Sequence, residues 1–265
     1  MQKTSRPASI FHLKNLWLVL IILSSAACMR MQMAPDTTLS DNLRITSEQL
    51  GYDLQYRVYT PPGYESLEDL PVVYVTDGQW YIESGDMPNL MENLILSGKM
   101  EPAIAVFVDN RNPDNLEENR RNRQFFCNQR YADFYAKELI PHIDKMYKTH
   151  SDRAARVILG LSFGGLNSAC FGLIAHETFE GIAIQSPATH PIPSLHQQYQ
   201  ESPRLPINIF LSSGTYSDNE DKTRRFKRVL ELKGYDFEYI EVPHAHTWEN
   251  WKPLLDDVLT YYFRK

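Results

Sequence analysis

Arg156-Val157-Ile158-Leu159-Gly160-Leu161-Ser162-Phe163-Gly164-Gly165 joins a β-branched, strand-like run to a G-x-S-x-G pentapeptide, then runs into a helix-compatible segment. A strand–turn–helix of this kind holds a serine on a sharp bend with its hydroxyl proud of the sheet edge. The glycines are needed because side chains there would collide with the neighbouring strand and helix. With glycine at about 7% of residues, the pentapeptide alone arises by chance in roughly one chain in ten of this length. The Val-Ile-Leu strand in front of it gives it much more weight, and Ser162 becomes the candidate nucleophile.

On either side of this element, strand and helix signals alternate. Leu54–Thr60 alternates apolar with polar residues and stops at Pro61-Pro62-Gly63, while 71–75 and 103–108 read as fully buried strands. Residues 87–97 are helix-compatible, and 131–147 has helical spacing that Pro141 should kink or interrupt. After the serine come strands at 181–185, 207–211 and 237–242, a helix over 220–233, and a closing amphipathic helix over 248–263. This order predicts an α/β fold with a mostly parallel central sheet and helices on both faces. Reactive groups in such sheets gather at the carboxyl ends of the strands, where Ser162 lies.

A serine hydroxyl needs a base and a group to orient that base. On this fold the acid and then the histidine follow the serine in chain order. The segment after the last strand, Val242-Pro243-His244-Ala245-His246-Thr247-Trp248, offers His244 and His246, whereas His176, His190 and His196 fall too early. For the acid, Asp218 comes soonest after the 207–211 strand, with a helix N-cap as its competing role. Glu220 and Asp221 suit the first helical turn, where acidic side chains meet the dipole favourably. Donors for an oxyanion would be the backbone N–H of Phe163 and that of Gln79 behind Asp77-Gly78, each contributing about 2.7–4 kcal/mol.

The chain has 265 residues, 43% of them hydrophobic and 23% charged, enough for one sizeable core. A net charge of −6 with no basic face argues against a nucleic-acid partner. Lys3, Arg6 and Lys14 precede the apolar run Leu16–Leu23, followed by Ser24-Ser25-Ala26-Ala27-Cys28. A basic, then apolar, then small-residue order reads as an export signal, since a spanning helix would need about 20 apolar residues. Cys28 after Ala26-Ala27 is similar to a bacterial lipobox cysteine, although Ser25 stands where a larger aliphatic residue is usual. The expected organisation is a signal with a lipidated Cys28 over 1–28, a tether over 29–41 and a catalytic domain over 42–265. The expected location is the periplasm or outer membrane of a bacterium, with membrane attachment through the N-terminal lipid. Cys127 and Cys170 do not make a disulfide framework or a metal site, and Cys170 reads as a small buried hydrophobe.

With these pieces placed, the sequence resembles the esterase branch of the α/β-hydrolases, which includes enterochelin esterases, S-formylglutathione hydrolase, feruloyl esterases and mycolyltransferases. Residues 57–64 are similar to the family's first long strand and turn, and 73–79 to its Y-L-x-D-G-Q oxyanion loop. Residues 138–144 are similar to E-L-I-P-x-I-D, 160–165 to the elbow, Ser186-Pro187 to a following S-P, and 246–251 to H-D-W-x-N-W. The last match selects His246 over His244, and Gly214 followed by Asp218 matches the acid position. Gln124 departs from the glutamate of R-x-x-E-L, and His244-Ala245 replaces two usual glycines.

The resemblance implies a serine esterase of a small-molecule ester, such as a siderophore, feruloyl or acetyl-sugar ester, working without metal or cofactor. Acyl transfer to an alcohol, or ligand binding without catalysis, are the competing readings. Arg121, among the arginines of the 111–130 loop, is read either as part of an anion-recognising rim or as part of a solvated loop whose arginines offset Asp114, Glu117 and Glu118. Trp80, Tyr81 and Trp248 are expected to form an aromatic wall for the substrate.

Overall fold

The computed structural model describes residues 38–264. The expected export signal, Cys28 and residues 29–37 of the expected tether lie outside the described residues. In the first half, β1 (Thr38–Leu39), β2 (Leu43–Ser47), β3 (Tyr52–Thr60), β4 (Val72–Thr76) and β5 (Ile104–Asp109) are interspersed with α1 (Gly78–Glu83) and α2 (Met87–Leu96). A small hairpin, β6 (Arg111–Asn112) and β7 (Asn115–Asn119), leads to α3 (Arg121–Gln124), α4 (Gln129–Phe134) and α5 (Ile140–Met146). The second half runs β8 (Arg156–Leu161), α6 (Phe163–Ile174), β9 (Gly181–Gln185), α7 (Leu195–Glu201), β10 (Asn208–Gly214), α8 (Glu220–Leu232) and β11 (Phe237–Val242). It closes with α9 (Trp248–Trp251) and α10 (Leu255–Phe263).

The main sheet has the order β1-β3-β5-β4-β8-β9-β10-β11, with β2 also paired to β3. Neighbours from β5 to β11 are parallel, and β3 is antiparallel to β5. After β4 the chain fills the sheet on one side with β5, then crosses to the other with β8. The connections that leave the carboxyl ends of the adjacent strands β4 and β8 therefore run to opposite sides, the kind of switch point at which doubly wound sheets place their sites.

Alternation along each strand sends side chains to two faces. Tyr74, Val106, Ile158 and Ile184 join Tyr131, Tyr135, Phe171 and Phe226 in one core. Val75, Phe107, Leu159 and Phe210 join Met91, Trp251 and Leu255 in the other. Helices thus cover both faces, as the alternation predicts.

Several elements differ from the sequence expectation. The end of the segment read as a tether is part of the sheet, with Thr38 and Leu39 opposite Thr60 and Tyr59. The helical segment over 131–147 is interrupted, as Pro141 predicts, into α4, one π-helical stretch Tyr135–Leu139, and α5. Pro141 has no N–H for the α ladder, and the turn ahead of it widens. Pro253 likewise divides the closing helix through the 3₁₀ turn Lys252–Leu254. The β6–β7 hairpin escapes a periodicity reading because its strand residues, exposed Leu116 apart, are all polar.

Cys170 is buried, as expected, but it is bonded to Cys127 in a disulfide. The link fastens the turn between α3 and α4 to the middle of α6. It closes a loop with a sequence separation of 43. A Cys127→Ser/Cys170→Ser variant should lose about 2–4 kcal/mol through the freed denatured chain. Urea unfolding under non-reducing conditions measures this, and an unshifted midpoint would show that the bond adds no stability.

Candidate active site

Ser162 follows β8 directly and has φ 57° and ψ −116°, a conformation few residues adopt. The bend is held from both sides, because the Ser162 amide donates to the Gln185 carbonyl at 2.9 Å and the Ser162 carbonyl accepts from Ala188 at 3.0 Å. Space decides the glycine before it. A Cβ on Gly160 would lie 2.3 Å from the Gly164 backbone and 2.6 Å from Thr76 Oγ1. Strand β4 and the first turn of α6 can close on the serine only if position 160 has no side chain.

The His246 ring comes from the β11–α9 loop. Its Nε2 lies 2.8 Å from Ser162 Oγ and its Nδ1 2.5 Å from Asp218 Oδ1. Trp251 stands edge-on to the imidazole, with ring centres 4.8 Å apart, and holds its plane. His244, by contrast, is exposed. Asp218 comes from the β10–α8 loop; Asn219 occupies the N-cap of α8, and Glu220 and Asp221 its first turn.

The Asp218 side chain is fully buried, and its Oδ2 accepts from Ser186 Oγ at 2.6 Å, the Gly214 amide at 2.5 Å, Asn250 Nδ2 at 3.0 Å and Ser213 Oγ at 3.2 Å. Burial would raise its carboxyl, but bonds from His246, Ser186 and the Gly214 and Asn219 amides hold it at about 2. Ser186 also accepts from Trp251 Nε1 at 2.9 Å and Asn250 Nδ2 at 3.1 Å. Ser186, Ser213 and Asn250 are the site residues that sequence reasoning left without a role. The Ser186-Pro187 and 246–251 matches contained two of them, but nothing local shows that they converge on one carboxylate.

The expected oxyanion donors open two helices. Phe163 is the first residue of α6 and Gln79 the second of α1, positions whose amides have no acceptor within their own helix. Asp77, preceding α1 at φ 55°, is buried against Gly164 and paired with Arg121, Nη2 to Oδ2 at 2.9 Å. Neither reading of Arg121, anion-recognising rim or solvated loop, holds: its guanidinium turns inward to this carboxylate. The remaining loop arginines are also occupied, Arg111 by Asp109, Arg120 and Arg123 by Glu118, and Arg130 by the Gln49 carbonyl.

Tyr81 does not belong to a substrate wall. It is completely buried, donates to Gln185 Oε1 at 3.1 Å and packs edge-on against Trp248. Trp80 and Trp248 are half-buried and keep partial access to solvent. Among the described residues, no cluster of three or more His, Cys, Asp or Glu is placed to hold a metal ion.

Loops at the carboxyl ends of β8, β10 and β11 in a largely parallel sheet thus bring serine, aspartate and histidine together, the arrangement of an α/β-hydrolase. Residues 47–262 match the family described as "Putative esterase". The chain belongs to this family, and its reaction class is carboxylic ester hydrolysis. It is 25% identical over 240 residues to the uncharacterized protein YjcH of Bacillus subtilis, covering 86% of this chain and 98% of that protein. It is 26% identical over 230 residues to an endo-1,4-beta-xylanase/feruloyl esterase of Xylanibacter ruminicola, covering 82% of this chain and 30% of the relative. The enterobactin esterase of Shigella flexneri, solved in the presence of enterobactin, superposes with a TM-score of 0.77 at 19% identity. That superposition covers 86% of this chain and 60% of the other.

Two outcomes follow from this packing. Gly160→Ala should cost about 1–3 kcal/mol or more, because the clash is with backbone; an unchanged thermal melt would show that the elbow can open. The depressed Asp218 carboxyl stabilises the fold above its ordinary 3.8, and that contribution is lost as pH falls through about 2. Asp218→Asn should therefore be less stable than wild type by on the order of 2 kcal/mol near pH 7. The gap should close on acidification, as urea unfolding across pH would measure; a pH-independent gap would contradict the assignment.

Proposed function

We propose that the protein is a serine esterase that hydrolyses a small-molecule carboxylic ester through an acyl-enzyme on Ser162. The observation that carries this reading is the continuous relay from Asp218 through His246 to Ser162. His246 Nδ1 donates to the carboxylate, which leaves Nε2 free to accept the Ser162 proton as Oγ attacks the ester carbonyl. The Phe163 and Gln79 amides take the developing oxyanion, and Asp218, ionised at working pH, stabilises the imidazolium. The imidazolium returns its proton to the leaving alcohol. Water, deprotonated by the same histidine, then releases the acid.

The substrate class we favour is an ester with an aryl or sugar component, siderophore and feruloyl esters included. The names of the xylanase/feruloyl esterase and of the enterobactin esterase support it. So does the aromatic side of the elbow, where the Phe163 ring packs against Phe126 and His190 at 5.1 and 5.4 Å. Export, with a lipid on Cys28, is part of the proposal. A disulfide between Cys127 and Cys170 suits an oxidising compartment.

Ser162→Ala should lower kcat on p-nitrophenyl acetate by about 10⁴-fold or more, with an unchanged melt. His246→Ala should cost orders of magnitude more than His244→Ala. A fluorophosphonate probe should label Ser162 and no other residue. Turnover that survives in Ser162→Ala would remove that serine from the chemistry, and an acyl group transferred to an added alcohol in preference to water would recast the enzyme as a transferase.

A further inference from the structure

The oxyanion donors proposed above sit on separate segments, Gln79 on α1 after β4 and Phe163 on α6 after β8. Their separation is fixed only as well as those segments are held together. One side chain touches both. The Arg121 guanidinium lies 4.9 Å from the centre of the Trp80 ring, next to Gln79, and 5.3 Å from that of Phe163. It is also 5.7 Å from the Phe125 ring and forms its ion pair with Asp77, two residues before Gln79. Asp77 Oδ2 in turn lies 3.2 Å from where a Cβ on Gly164 would be, so the carboxylate rests on the first turn of α6.

We propose that the buried Asp77–Arg121 pair positions the two halves of the oxyanion hole, clamping the β4–α1 turn to the start of the nucleophile helix. Neither residue touches substrate; both act through Gln79 and Phe163. The inference rests on the serine-esterase reading and deepens it.

The energetics suit a positioning role better than a stabilising one. Burial pushes the Asp77 carboxyl up to about 6 against the pull of Arg121, with nearby Asp109 adding to the rise. Asp77 Oδ1 and Arg121 Nε are both buried with no hydrogen-bond partner. A buried ion pair with unmet atoms is weak as a source of stability, so its effect is sought in the geometry it imposes. Arg121 is itself held in place, because its segment is fastened to α6 by the Cys127–Cys170 bond.

The test compares Arg121→Lys with the double variant Asp77→Asn/Arg121→Met, which removes both charges and so leaves no unpaired ion in the core. The double variant should lose about 30–100-fold in kcat on p-nitrophenyl acetate, the scale of a misplaced donor, with KM within about twofold of wild type. The rate of Ser162 modification by the fluorophosphonate probe should fall by a similar factor, since the phosphoryl oxygen needs the same donors. Arg121→Lys keeps the charge but not the flat guanidinium between the rings, and should lose about 3–10-fold in kcat. Wild-type kcat in a folded double variant would overturn the inference. A loss confined to KM would also overturn it, making Arg121 a substrate contact. Arg121→Lys decides the matter if the double variant does not fold, because unchanged kcat there is equally fatal. If wild type itself shows no Ser162-dependent turnover, the esterase reading fails first; turnover lost in Ser162→Ala but intact in both pair variants sinks this inference alone.

Discussion

Ser162 can hold its unfavourable backbone angles because strand β4 and helix α6 close on position 160 without meeting a side chain. The approach depends on β4 and β8 being neighbours in the sheet, and the remaining site geometry depends on the approach. Once the serine stands out at the end of β8, the β10–α8 and β11–α9 loops have one place in which to meet it. Strain of this kind costs on the order of 1–3 kcal/mol and persists only where its surroundings enforce it. Here the Gln185 and Ala188 backbone bonds from the neighbouring strand and its loop do so.

Two buried aspartates show how partners decide the behaviour of a single residue type. Asp218 is surrounded by donors from four other segments and stays ionised far into acid. Asp77 has one guanidinium and an unmet oxygen, and burial dominates. The first suits a group that must remain anionic opposite an imidazolium. The second holds its charge at a cost near neutrality, which is why its value is sought in geometry.

Much of the architecture was legible from pattern. The runs ending at Val75, Val108, Leu159 and Gln185 alternate or are continuously apolar, and each became a strand of the main sheet. The elbow was legible because its glycines answer a local steric demand. The hairpin of 111–119 was not, since a polar ribbon has no buried face to announce it. Nor was the fate of Tyr81 and Arg121. An aromatic and an arginine near a candidate oxyanion loop look alike whether they face solvent or the interior, and both turned inward. The disulfide was equally hidden, because a separation of 43 residues carries no information about distance in space.

His244 and His246 mark where the two kinds of information part. Spacing along the chain placed both on the right loop, and motif similarity preferred the second. Periodicity, turn chemistry and chain order therefore settled which elements form, and on which loops the reactive side chains would lie, because those depend on residues a few positions apart. Which imidazole meets the serine, which carboxylate gathers donors and which arginine turns inward came from the order of strands in the sheet. That order brings together residues more than eighty positions apart, Ser162 and His246 among them, and adjacency over such distances is set by the packing of the whole core.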